Sequence, residues 1–387
     1  MGTDTLGSTM VFGAGLNSMT PGNWIMIMIA LFLAYLSIGK KFEPLLLLPL
    51  AFGMLIANIP AAGLGAADDG RLLWYVYQGI IRIIYPPLVF MCIGTMTDFA
   101  PLIARPINAL IGLGGQLGIF VAFGLSMLIS TTLSPHIPGL DPFTLKQAAS
   151  IAIIGSSDGP TSIFTASNLS PEIMSSVAIA AFSYMALVPF IQPPIMRLLT
   201  NDKERVIVMS EPRAVSRREK IVFPLVLTII VLLLVPTAGV LIGMLMLGNL
   251  IKESGVAERY VRTLSNEALN ILTLLIALSI GASAGAEEFL TPRTLIILFC
   301  GLVAFIFGTI GAVLLAKLLC KITRGKINPL IGNSGVSAMP MAARISQKLG
   351  QQYNPQNHLL MHAMGPIVAS TIGSAIIAGI FIGYLGV

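Results

Sequence analysis

Apolar stretches recur along nearly the whole chain, at residues 22–39, 45–59, 72–97, 107–131, 172–196, 221–235, 237–250, 266–286, 294–319 and 358–385. Only 10% of the 387 residues are charged, against about 25% in a soluble domain. No water-soluble core of this length hides so much apolar surface, so most of it must face lipid or other helices. The pattern predicts an all-α polytopic membrane protein with about ten transmembrane helices. If all ten stretches cross, their connecting loops alternate sides. One side then receives Lys40, Lys41, Arg105, Lys252, Arg259, Arg262, Lys317, Lys321, Arg324, Lys326 and the seven basic residues of 197–220, which is 17 of the 23 Lys and Arg. The other side holds Asp68, Asp69, Asp141, Glu287 and Glu288. This asymmetry places the 197–220 loop in the cytoplasm and both termini outside. The net charge of +6 is spread among short loops rather than gathered into a nucleic-acid patch. Cys92, Cys300 and Cys320 have no spacing that suggests a disulfide framework. Residues before Trp24 carry no basic n-region or cleavage site, so 1–21 is expected to be an N-terminal extracytoplasmic segment without a removable signal peptide.

Two segments, 146–168 and 328–350, are apolar but interrupted by Gly, Ser, Asn and Pro. Broken backbone at membrane depth survives only when buried in protein or lining a wet cavity, so both are expected to be re-entrant helical hairpins. They also align with each other. Ile154-Gly155-Ser156-Ser157 matches Ile331-Gly332-Asn333-Ser334 at an offset of 177, as do Ala166 with Ala343 and Pro189 with Pro366. Upstream, Gly53-Met54-Leu55 matches Gly243-Met244-Leu245 at 190, and Ile93-Gly94 matches Ile280-Gly281 at 187. The shared order predicts two repeats, 22–196 and 221–387, joined by the 197–220 loop. Each holds an odd number of crossings, so the repeats are inverted, a plan that puts the binding site of secondary transporters at the helix breaks.

The first break, Gly155-Ser156-Ser157-Asp158-Gly159-Pro160-Thr161, carries the only carboxylate between Asp141 and Glu172. A charge at membrane depth is a functional candidate by default. Asp158, nearby hydroxyls and carbonyls freed at Gly159-Pro160 suit Na⁺ or H⁺; capping of the following half-helix is the plainer alternative. The second break offers oxygens on Asn328, Ser334 and Ser337, with Gly332 and Gly335 permitting close approach. Arg344 stands two helical turns after Ser337 and suits a carboxylate, or else snorkels to the cytoplasmic edge. Tyr184 lies mid-span as an ion or proton group or as an ordinary core Tyr. His358 and His362 have i, i+4 spacing without an acidic partner, which favours a structural pair over a metal site. Trp24 and Trp74 suit interface anchors. No Walker A, GxSxG or HExxH sequence is present, which leaves ATP-driven and hydrolase chemistry without a foothold.

These two breaks, with Met339-Pro340-Met341-Ala342-Ala343-Arg344 closing the second, resemble the signature regions of the beta subunit of sodium-pumping biotin-dependent decarboxylases. That family includes the oxaloacetate, methylmalonyl-CoA and glutaconyl-CoA enzymes. The resemblance implies a multi-pass protein of a bacterial or archaeal cytoplasmic membrane that decarboxylates carboxybiotin and exports Na⁺ while consuming a proton. It implies carboxyltransferase and biotin-carrier subunits, with biotin held by the partner, a small single-span subunit, and a homo-oligomer. The family's functional positions fall on Asp158, Tyr184, Asn328, Gly332, Ser337 and Arg344. On this basis Na⁺ is expected between the hairpin tips at Asp158, Asn328, Ser337 and the carbonyls near Gly332. Arg344 is expected to attract the carboxybiotin carboxylate, and Tyr184 or Ser337 to help deliver the proton. A Na⁺-coupled organic-anion transporter shares the two-hairpin plan and is the main rival; a passive membrane scaffold would have no use for a buried carboxylate. The 197–220 loop suits partner docking, although a solvated loop is the plainer expectation.

Overall fold

The computed structural model describes residues 14–60, 62–65, 70–138, 140–339 and 341–386, and every regular element in them is helical. Residues 1–13 of the N-terminal segment, Asp68, Asp69 and Pro340 lie outside the described residues. The principal helices are α1 (Pro21–Lys40), α2 (Pro44–Ala57), α3 (Leu72–Ile81), α4 (Tyr85–Met96), α5 (Asn108–Gly115), α6 (Leu117–Thr132), α7 (Leu145–Ile153), α8 (Gly159–Leu169), α9 (Met174–Leu199), α10 (Arg217–Leu234), α11 (Gly239–Ser254), α12 (Leu269–Ala282), α13 (Pro292–Ile322), α14 (Met341–Tyr353) and α15 (Leu360–Leu385). Several begin on local signals. Thr20, Thr144 and Ser216 each close a capping box with the residue three positions on, and Pro21 and Pro292 occupy the first turn, where an N–H has no partner anyway.

Five runs are long and apolar enough to cross a bilayer: α1, α5–α6 through His136, Glu258–Ala282, α13 and α15. Two bent pairs raise the number to seven, α3 with α4 at 69° and the halves of α9 at 60°. The α9 bend falls where Pro189 has no N–H for the carbonyl of Met185. The ten apolar stretches do not become ten full-length spans. Helix α2 has 14 residues and α11 has 16, about 21 and 24 Å against a hydrocarbon core of about 30 Å.

The short helices instead cross in pairs, backbone to backbone. A Cβ on Gly53 would lie 2.3 Å from Leu278 O, and one on Gly281 would lie 2.1 Å from Leu50 O, locking α2 against α12. Helices α4 and α11 repeat this contact, with Gly94 at 2.0 Å from Leu245 O and Gly248 at 1.9 Å from Met91 O. Small residues permit such approach where lipid supplies no hydrophobic drive. Gly248, not Gly243, enters this crossing; Gly243 has open space around it. Beyond each crossing an Asn amide closes the broken helix end. Asn58 Nδ2 donates to Ala284 O at 2.8 Å, and Asn249 Nδ2 to Thr97 O at 3.1 Å.

Helix α13, 31 residues long, serves as a ruler for the centre of the bundle. One hairpin, α7–α8, returns beside its own entry: Ser170 Oγ donates to Ser150 Oγ at 2.6 Å and Gln147 Nε2 to Glu172 Oε1 at 2.7 Å. The chain leaves it by the start of α13, where Ser176 and Thr294 hydroxyls lie 2.9 Å apart. The second hairpin, the 3-10 arm Pro329–Gly335 followed by α14, is held by Asn333 Nδ2 donating to Ala342 O (2.8 Å) and Ser346 Oγ to Leu330 O (3.2 Å). Its arm packs Gly332 on Val313 and Ala316, nearer the other end of α13. Both tips reach Gly308, whose added Cβ would meet Gly155 O at 3.1 Å and Val336 Cγ1 at 3.3 Å. Gly308 lies about 24 Å along α13 from its start and about 21 Å from its end. The tips touch directly there, Ser337 N donating to Ser156 O at 2.9 Å.

The basic segments gather at the end of the bundle that holds the 197–220 loop. Arg105 donates to Ser210 O (2.7 Å), Lys317 to Leu199 O (2.8 Å), and Lys220 lies 3.8 Å from Glu253. Most of the first half of this loop is exposed, as a solvated loop would be, but Arg205 turns inward. Arg205 is 9% exposed and donates to Thr200 Oγ1, Asp202 Oδ1 and Tyr353 Oη at 2.7–3.0 Å.

Candidate functional site

The site grows out of the broken first hairpin. Helix α7 tightens into a 3-10 turn at Ile154–Ser156, and Ser157 takes the left-handed conformation at φ +56°. Asp158 then starts α8 as its N-cap, with Pro160 in the first turn. One carboxylate oxygen accepts from Thr161 N at 3.3 Å, and the other from Ser374 Oγ on α15 at 3.1 Å. Asp158 is 5% exposed and pairs with no cation among the described residues. Capping is therefore real but does not neutralise the group, and an ionised carboxylate so buried needs a cation or a proton. The hydroxyl oxygens of Ser157 and Thr161 are also buried, and that of Ser157 has no hydrogen-bond partner among the described residues. The arrangement is a cluster of hard oxygens around one negative charge, matched to a small cation rather than to a soft metal. No group of three or more His, Cys, Asp or Glu suited to a metal occurs among the described residues.

Ser337, at the second tip, reaches the same cluster through α15. Its hydroxyl donates to Ser370 Oγ at 3.1 Å, one helical turn from Ser374. The structure thus brings Asp158 and Ser337 together across the Ser370–Ser374 face. Asn328 and Gly332 stand apart from them. Asn328 lies at the outer end of the second hairpin, where Nδ2 donates to Arg205 O (3.0 Å) and Ile207 O (2.8 Å) and Oδ1 accepts from Leu330 N (2.9 Å). Gly332 presses on α13, where a Cβ would lie 2.6 Å from Val313 Cα. Tyr184 is buried against Gly301, and its hydroxyl donates to Leu298 O on α13.

Arg344 lies on the exposed face of α14. It lines an open cleft of about 430 Å³ with Gln347, Lys348, Gln351, Gln352 and Leu360. It makes no hydrogen bond or ion pair with the described residues, which leaves its guanidinium available. Glu43, at the turn between α1 and α2, feels it at longer range. Burial pushes the Glu43 carboxyl above the usual carboxylate range, and the charge of Arg344 pulls against that rise. His358 and His362 do not form a pair on one helix. His358 is exposed ahead of α15, while His362 is buried within it.

Sequence reasoning passed over Gln116, Ser370 and Ser374. Ser370 and Ser374 carry an i, i+4 signal inside an apolar span, and Gln116 breaks the apolar run after Gly114-Gly115.

Comparison with known proteins bears on this geometry. Residues 22–385 match the model of the Na⁺-transporting oxaloacetate decarboxylase beta subunit. The methylmalonyl-CoA decarboxylase subunit beta of Propionigenium modestum is 49% identical, over 96% of this chain and 97% of that one. The glutaconyl-CoA decarboxylase subunit beta of Acidaminococcus fermentans is 48% identical over 98% and 97%, and the oxaloacetate decarboxylase beta chain of Klebsiella pneumoniae 45% over 98% of each. With coverage this complete and identity this high, the chain belongs to the family of Na⁺-transporting decarboxylase beta subunits.

Proposed function

We propose that this protein is the membrane subunit that decarboxylates carboxybiotin and uses the free energy released to export Na⁺. One observation carries the reading: the unpaired carboxylate of Asp158 lies where two opposed hairpin tips meet, about midway along α13. Na⁺ binds there, between Asp158, the Ser157 and Thr161 hydroxyls and the tip of the second hairpin at Ser337. Asn328 and Gly332 shape that hairpin from its outer arm. Arg344, in the open cleft at the basic end, receives the carboxylate of biotin carried by a partner subunit. Ser337, joined to the ion site through Ser370, is better placed than Tyr184 to pass on the proton that replaces CO₂.

The membrane is the cytoplasmic membrane, with the basic end inside. The two glycine crossings, built in the same reciprocal way from opposite halves of the chain, support inverted repeats. They pair Gly53 with Gly248 at an offset of 195. The partners are carboxyltransferase and biotin-carrier subunits with a small single-span subunit.

The test is CO₂ release from carboxybiotin by the purified complex, with and without Na⁺, for wild type and Asp158→Asn. Na⁺-stimulated release that is lost in the variant supports the pump. No release, with Na⁺-driven anion uptake by liposomes instead, replaces it with a symporter.

A further inference from the structure

Gln116 occupies the single position between α5 and α6, and its neighbours place it between the two tips. A Cβ on Gly115 would lie 1.7 Å from Gly335 O of the second tip, and one on Gly118 would lie 2.8 Å from Gly155 O of the first. The side chain is 3% exposed. Its amide nitrogen faces two main-chain carbonyls, Gly112 O and Ser370 O, each at 3.2 Å, and Ser370 Oγ at 3.1 Å. Two carbonyls on one side admit only the NH₂ end, which fixes the amide orientation without any assumption about a ligand. The opposite end, Oε1, is buried and has no partner among the described residues. A buried amide carbonyl without a partner is costly. A further oxygen with the same deficit, Ser157 Oγ, belongs to the Asp158 turn at this junction.

We infer that Gln116 is a further ligand of the transported cation, its Oε1 supplying a neutral oxygen that completes the Asp158 cluster. The amide nitrogen has a second effect. By donating to Ser370 Oγ it directs that hydroxyl to accept from Ser337 as well, leaving lone pairs of Ser337 Oγ free for the ion. One side chain from the α5–α6 junction thereby ties both hairpin tips to one ion. This inference rests on the ion-site reading above and goes beyond it by naming an oxygen from outside both hairpins.

The experiment compares wild type, Gln116→Met and Asp158→Asn as intact purified complexes. Two quantities are read: half-saturation by Na⁺ of carboxybiotin decarboxylation, and Na⁺-dependent thermal stabilisation without substrate. Methionine keeps length and apolar volume but removes the oxygen together with the amide nitrogen, so the ligand and its hold on Ser370 Oγ are lost at once. Loss of one neutral ligand predicts a rise in the Na⁺ half-saturation of about tenfold to a hundredfold, with most of the maximal rate retained at saturating Na⁺. The Na⁺-dependent stabilisation shifts to higher Na⁺ in parallel. Should Gln116→Met not fold, Gln116→Asn withdraws the same oxygen by one methylene and predicts the same displacement. An unchanged half-saturation beside an Asp158→Asn variant blind to Na⁺ overturns the role of Gln116 and leaves the ion site standing. An Asp158→Asn variant that still responds normally to Na⁺ removes the site itself.

Discussion

Replacing Gly155 by Ala tests the meeting of the two tips by geometry alone, without touching a polar group. The added Cβ would lie 2.5 Å from Gly118 C, 2.6 Å from Gly118 O and 2.8 Å from Ile119 N, all main-chain atoms that no rotamer change can move. Helix α6 cannot yield either, because Gly118 is itself pressed on α13, with Ala304 O at 2.5 Å from a Cβ there. Ordinary carbon contacts need about 3.5 Å, so the hairpin tip must retreat by about 1 Å. Overpacking of this kind costs about 1–3 kcal/mol, which leaves a typical fold standing. The retreat opens the 2.9 Å bond between Ser337 N and Ser156 O beyond hydrogen-bond range. It also displaces Asp158, three residues on, and an error of about 1 Å at a reacting site costs up to about 10²-fold. The expected phenotype is normal insertion into the membrane with Na⁺-stimulated CO₂ release lowered by about ten- to a hundredfold. Gly124→Ala on the same helix is the control. Its Cβ meets nothing within 4 Å, so activity should hold and stability rise by about 0.5–1 kcal/mol. Wild-type turnover in Gly155→Ala would refute the claim that this close contact sets the position of Asp158.

Two further predictions concern the basic end. Asn328→Ala frees the main-chain oxygen of Ile207 and leaves that of Arg205 with Asn357 Nδ2 alone, so trypsin should cut the 197–220 loop faster while the Na⁺ half-saturation stays put; a moved half-saturation would return Asn328 to the ion site. The exposed Glu219 carboxyl is held at about 2 by hydrogen bonds from Arg213 and Ser216. A depressed folded value means that its contribution is present above the ordinary value near 4.5 and is lost as pH falls toward 2. Cleavage at the start of α10, probed with an acid protease, should rise over that window and lose its pH dependence in Glu219→Gln.

Asp158 was legible because a carboxylate flanked by Gly and Pro inside an apolar run violates the local rule of its surroundings. The hairpins were legible for the same reason. Gln116, Ser370 and Ser374 violate it more quietly: a hydroxyl can return its proton to its own helix, as Ser374 also does to Thr371 O at 3.0 Å, so a Ser in a span carries little information. Arg205 was hidden by its charged neighbours. Nothing in Asn201-Asp202-Lys203-Glu204-Arg205 distinguishes the one guanidinium that turns inward to meet main-chain carbonyls. Gly243-Met244-Leu245 copies Gly53-Met54-Leu55 letter for letter, but close approach is made by the glycine that faces the opposing carbonyl, which is Gly248.

In the proposed function, coupling follows from two constraints that meet at one carboxylate. Asp158 is held at a tip junction too buried for an uncompensated charge, so a closed junction requires either Na⁺ or a proton on it. The second tip reaches that junction through Ser337, while its following helix α14 carries Arg344 into the open cleft. In the proposed function, loss of the carboxylate of carboxybiotin at Arg344 changes the charge balance on one arm of the hairpin whose tip meets the Asp158 turn. Because the same tip bonds to both Ser156 and Ser370, a shift of that hairpin cannot leave the ion's surroundings unchanged. On that proposal, chemistry at the cleft and ion occupancy near the middle of α13 are joined through the one hairpin that carries both Arg344 and Ser337.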